Sequence, residues 1–161
     1  MSRIRRVSGQ TNDPVTGWEI ASLPPGLAAG PRDLDRVGAT WRSALVPGTA
    51  ASALRATGDW SLDGPTRRFD AEDWWWRARL RREDGDDAES TLCLDGLATL
   101  ADVWLDGVPL LTSTNMFLAH ARHLEHGATG ELVIRCRSLD AALGARRPRP
   151  RWRTPMVENQ Q

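Results

Sequence analysis

An antiparallel β-sandwich is the fold class that this 161-residue sequence predicts. Three observations carry that prediction. Short apolar segments recur between Gly, Pro and Asp breaks, the spacing of a β-rich chain. Residues 73–82 alternate, with Trp74, Trp76, Ala78 and Leu80 on one face and Trp75, Arg77, Arg79 and Arg81 on the other. Asp106-Gly107 separates two apolar runs and is a residue pair that a two-residue type I′ hairpin prefers.

The remaining elements follow in order. Residues 1–15 are polar and read as a flexible N-terminal segment, which leaves 16–161 for the sandwich. Trp18-Glu19-Ile20-Ala21 alternates as a strand and ends at Pro24-Pro25-Gly26. Residues 27–38 read as loop, and 41–46 as an extended segment leading into Pro47-Gly48. Residues 49–57 form a helix, because Thr49 can cap it, the Ala-rich run favours it and Gly58 stops it. Glu83-Asp84-Gly85-Asp86-Asp87 is expected to be a solvated hairpin loop after the 73–82 strand, with 90–97 as the next strand. Residues 101–105 and 108–111 flank the Asp106-Gly107 turn, and 116–124 and 131–137 complete the set. In the last, Leu132, Ile134 and Cys136 face inward against Val133, Arg135 and Arg137. Residues 140–145 read as a helical turn. Alternating Arg and Pro over 146–153 then favours an extended path, read as a structural return strand.

Composition excludes several classes. The length allows one domain and does not fit a (β/α)8 barrel of roughly 250 residues. With 21 basic against 21 acidic groups, the chain is not built to neutralise nucleic-acid phosphate. All the long-chain cations are Arg, Tyr is absent, and eight residues are Trp. Arg3, Arg5 and Arg6 are not followed by an apolar stretch, so no secretory signal of the usual pattern is expected, and no apolar run approaches 18 residues. Cys93 and Cys136 lack CxxC spacing and lie in apolar runs, which reads as two reduced core thiols in a cytoplasmic protein.

Ser43, Ser52, Ser61 and Ser138 lack a G-x-S-x-G elbow, and neither cysteine has a recognisable base beside it. His120, His123 and His126 switch faces on a strand and have no fourth ligand at metal-site spacing, so they read as surface residues and no metal or cofactor is expected. Glu72, Asp73, Asp95, Asp102 and Asp106 lie at strand ends and turns, where Asp belongs for structural reasons. Trp74-Trp75-Trp76 sends two rings to the core. The third, Trp75, either stacks on a sugar ring or covers the second face of the sheet.

Order and spacing then carry a resemblance. Trp41, Val46-Pro47-Gly48-Thr49, Leu54, Gly58-Asp59-Trp60 and Asp73-Trp74-Trp75-Trp76-Arg77 resemble the opening of family 2 glycoside hydrolases, the β-mannosidase branch in particular. The likeness continues through Leu94-Asp95-Gly96-Leu97, Ala101-Asp102-Val103-Trp104-Leu105-Asp106-Gly107, Ser113-Thr114-Asn115-Met116-Phe117 and 132–139. Trp76 stands where that family usually has Tyr, and Asp106-Gly107 where it has Asn-Gly; both suit the same strand and turn.

The resemblance implies a jelly-roll domain of the galactose-binding type, with one or two short helices. It also implies that the two catalytic glutamates of such enzymes, which work by double displacement with retention, belong to a later (β/α)8 barrel absent from this sequence. Glu158-Asn159 reverses that family's Asn-Glu pair and takes no catalytic role. The family continues past the Arg/Pro stretch into closing strands, so the sandwich is expected to be incomplete at its C-terminus. The expected function is a non-catalytic domain that supports the barrel and its β-mannoside pocket, with Trp75 and Asn115 as candidate carbohydrate contacts. The alternative is a stand-alone carbohydrate-binding module using Trp75 or Asn115 on an exposed face.

Overall fold

The computed structural model describes residues 2–6, 12–81, 90–124 and 129–144. Among the described residues ten strands carry the fold: β1 (Ser2–Arg6), β2 (Asn12–Pro14), β3 (Trp18–Leu23), β4 (Arg42–Ala44), β5 (Asp73–Leu80), β6 (Ser90–Leu94), β7 (Ala101–Leu105), β8 (Val108–Ser113), β9 (His120–Leu124) and β10 (Gly130–Cys136). Two short helices, α1 (Ala50–Ala56) and α2 (Leu139–Gly144), accompany them. The strands form a four-stranded sheet, β2-β1-β6-β9, and a six-stranded sheet, β4-β3-β5-β10-β7-β8. Every pairing is antiparallel.

Alternation decides what lies between the sheets. Trp74, Trp76, Ala78 and Leu80 of β5 join Trp18, Ile20, Leu132 and Ile134 to meet Leu92, Leu94 and Leu124 of the smaller sheet. The Trp18 indole donates to the Val15 carbonyl at 2.8 Å and that of Trp74 to the Phe69 carbonyl at 2.8 Å, so both rings are buried with their one polar atom satisfied. Asp106 (φ 48°) and Gly107 (φ 76°) supply the two left-handed residues of the hairpin between β7 and β8. At α1, Thr49 Oγ1 accepts from the Ser52 amide at 3.1 Å while Ser52 Oγ accepts from the Thr49 amide at 2.8 Å. This reciprocal cap occupies two donors that a helix start leaves free.

The chain departs from the sequence expectations at five places. Residues 2–6 and 12–14 are strands rather than a flexible lead, because β6 has a backbone edge that β1 fills in the register Ser2↔Leu94 to Arg6↔Ser90. The segment between β5 and β6 is not a hairpin, since those strands belong to different sheets; the acidic run itself lies outside the described residues. Strand β6 ends at Leu94, and β9 starts at His120 after a turn over residues 116–117. Finally, the loop expected over 27–38 is ordered into a strap. It holds a short 3-10 turn, Pro31–Asp33, and packs on the outer face of the six-stranded sheet. The Arg/Pro segment and His126 lie outside the described residues.

Candidate functional site

The strap creates a second core outside the sandwich. Leu23, Ala28 and Leu34 pack there on Trp75, Trp104 and Val133. The rings of Trp75 and Trp104 stack with centroids 5.7 Å apart at 21°. Arg135 lies over both rings, 5.3 Å from one centroid and 5.6 Å from the other. Its Nε and Nη2 donate to Asp102 Oδ2 at 3.1 and 2.7 Å, and its Nη1 donates to the Ala28 carbonyl of the strap at 3.1 Å. Thr112 Oγ1 donates to the other oxygen of Asp102 at 2.9 Å.

This geometry corrects the expectation of a sugar contact at Trp75. Its relative exposure is 0%, so the ring covers the second sheet face and offers none of its surface to a ligand. Alternation assigned the ring to the correct face but said nothing about what covers that face. Asn115 is exposed, in the loop between β8 and β9. Its Oδ1 accepts from the Phe117 amide at 2.9 Å, and its side-chain NH2 has no partner among the described residues. Trp75 and Asn115 are therefore not brought together as one exposed platform.

Glu72, Asp73, Asp102 and Asp106 hold structure. Asp73, 4% exposed, accepts from the Gly26 amide at 3.0 Å and the Ser138 amide at 2.7 Å, fastening strap and α2 to the start of β5. Glu72 receives Arg67 at 2.9 Å, and Asp106 Oδ1 receives the Glu131 amide at 2.8 Å. Asp106 also explains Gly130, where any Cβ would run into the carboxylate. Ser138 Oγ donates to the Asp70 carbonyl at 2.7 Å and accepts from the Ala141 amide, a capping role with no base in reach.

A cavity of about 280 Å³ opens on the inner face of the six-stranded sheet, walled by Trp18, Trp74, Trp76, Val46, Leu97 and Cys136, among others. Among the described residues no Asp, Glu or His lines it. Its one titratable side chain, Cys136, has a thiol pushed up to about 12 by burial, with Asp102 and Asp73 adding smaller effects in the same direction. A neutral thiol among indoles provides neither a nucleophile nor an acid/base pair. Both cysteines are free. Among the described residues no group of three or more His, Cys, Asp or Glu is placed to hold a metal. His120 is half-buried and its Nε2 lies 3.1 Å from Ser113 Oγ; His123 is exposed. No described helix is long and apolar enough to cross a membrane.

Two features escaped sequence reasoning. The Arg135–Asp102 pair joins residues on neighbouring strands that are far apart in the chain. Arg77 sits 4.1 Å over the Trp41 ring while its Nε donates to Glu19 at 2.7 Å. The outward arginines of β5 and β10 were the available signal, since a strand face carrying Arg beside Trp invites such stacking.

Two antiparallel sheets around one apolar core, with a strapped outer face, define a galactose-binding-like β-sandwich. The chain belongs to the family described as glycosyl hydrolase 2 galactose-binding domain-like, which it matches over residues 32–160. Among solved structures it is similar to the β-D-mannosidase from Dictyoglomus thermophilum, with a TM-score of 0.60 and 20% identity over 87% of this chain. It is also similar to the β-glucuronidase from Ruminococcus gnavus solved with D-glucuronic acid, with a TM-score of 0.51 and 12% identity over 85% of this chain. The chain covers 16% of the first protein and 22% of the second, and at these identities the likeness speaks for the fold. No curated protein matches the sequence.

Proposed function

We propose that this chain is the non-catalytic front domain of a β-mannosidase-like family 2 glycoside hydrolase. In that role it supports a catalytic barrel and helps wall its substrate pocket. The observation that carries the reading is the family match over residues 32–160 on a sandwich whose suspected acids are tied into structure. The β-mannosidase-like motif order favours a mannoside over other glycans. Asn115 is the sugar contact retained from the sequence, because its amide NH2 is exposed on a turn that its own oxygen holds in place. Two free cysteines suit a reducing, cytoplasmic location.

Bond cleavage in such an enzyme requires two carboxylates across the scissile linkage. That task is assigned here to the barrel. The test is hydrolysis of 4-nitrophenyl β-D-mannopyranoside by the isolated chain. The expected result is no release of nitrophenol above buffer. Turnover proportional to protein concentration overturns the non-catalytic reading.

A further inference from the structure

A groove of about 550 Å³ runs along α1, lined by Ala51, Ser52, Arg55, Ala56, Trp60 and Leu62. These residues are separate from those of the cavity and of the Asn115 turn. Trp60 is half-buried, and its indole nitrogen is closed off without an acceptor. Every exposed atom of that side chain is therefore carbon. The ring stands edge-to-face on Phe69, with centroids 5.2 Å apart at 87°, and Phe69 stacks in turn on Trp74 at 5.7 Å. This ladder fixes the exposed aromatic surface to the core before any ligand arrives.

The rest of the groove complements that surface. Ala51 and Ala56 add only one carbon each, so they leave the ring accessible from the helix side. Leu62 forms an apolar rim at 69% exposure. Arg55 is exposed, and among the described residues no carboxylate pairs with it. Its five N–H donors are free for a ligand. A carbon-only aromatic face beside one unpaired guanidinium suits a ligand that is apolar on one side and hydroxylated at its edge. A pyranose has that form.

We propose that this groove is a pyranose-binding subsite, in which the C–H face of the sugar lies on Trp60 and Arg55 donates to its hydroxyls. The assignment rests on the carbohydrate reading of the domain. The Trp60 ring pays little ordering cost on binding because Phe69 already holds it.

Saturation-transfer NMR with methyl β-D-mannopyranoside, methyl β-D-galactopyranoside and methyl β-D-glucopyranoside tests it on the chain as it stands. At least one should bind with a millimolar Kd. Arg55→Ala should weaken it about tenfold with an unchanged melting curve, since that side chain is exposed. Trp60→Phe, which keeps an aromatic contact to Phe69, should weaken it by a smaller factor. Sugar binding that is indifferent to both groove variants overturns the groove while sparing the carbohydrate reading. Absence of binding by all three glycosides overturns both.

Discussion

Arg135 and Asp102 pair at 2.7 Å beneath the strap, with side chains only 15% and 13% exposed. The guanidinium plane also covers two tryptophans and holds the Ala28 carbonyl, so one cation ties β7, β10 and the strap together. Removing Asp102 leaves the enclosed Arg135 guanidinium without its carboxylate, whereas removing Arg135 leaves Asp102 with Arg137 Nε at 3.4 Å and the Thr112 hydroxyl. Asp102→Ala should therefore destabilise the chain by about 3 kcal/mol, read from the urea midpoint. The double variant Arg135→Ala, Asp102→Ala should cost less than the sum of the two singles. Arg135→Lys should not restore the midpoint, because an ammonium cannot reach Asp102 and Ala28 while lying flat on the rings.

Trp75 should behave as a packing residue. Trp75→Ala should cost about 3–5 kcal/mol, the range for deleting a large buried ring. Trp75→Phe should cost less, since the indole nitrogen it removes has no partner. The Phe variant, folded at low temperature, should bind sugar as the parent does. A loss of sugar affinity without loss of stability would restore Trp75 as a ligand contact.

Sequence reasoning succeeded where a local rule determines the result. The two faces of β5, the Asp106-Gly107 turn and the Thr49 cap each depend on residues within a few positions of one another, and each is present as expected. It failed where the outcome depends on distant partners. Whether β5 pairs with β6 or hands the chain to the other sheet is decided by which strands compete for its edges, here β3 and β10. The strap looked like plain loop because its fixing bonds reach to Asp73 and Arg135, far along the chain. Burial of Trp75 follows from that strap and was hidden for the same reason. Asn115 was legible only as a polar residue in a motif, and its place on an exposed turn came from the fold.

Asp33 gives the strap a dependence on pH. A hydrogen bond from Arg36, with further ones from the Ala29 and Gly30 amides, holds its carboxyl below the usual carboxylate range. A depressed folded pKa means that the stabilisation is present above the unfolded value and is lost as pH falls through the folded one. The Ala29 and Gly30 amide shifts should therefore stay constant from neutral pH down to about 4 and move only in more acidic solution. Asp33→Asn should abolish that titration. A midpoint at or above the ordinary Asp value contradicts the hydrogen-bonded geometry.

Cys136 makes the opposite prediction at high pH. Its folded thiol is held at about 12 against an ordinary 9.0, so the unfolded chain releases its proton first as pH rises. Stability from this group is complete below pH 9 and declines between those two values. Denaturation midpoints measured from pH 8 to 11 should fall in the parent and fall less in Cys136→Ala. At pH 8 the thiol should resist a disulfide reagent in the native chain and react in urea. Fast native labelling of Cys136 at pH 8 contradicts a thiol held in its protonated form.

The most direct measurement of the central claim combines binding and turnover on one sample, the isolated chain with 4-nitrophenyl β-D-mannopyranoside. A sandwich domain that handles sugar without cutting it should show saturable ligand signals by NMR and no nitrophenol over the same hours. Saturable binding accompanied by nitrophenol release contradicts the account, and so does the absence of any saturable signal.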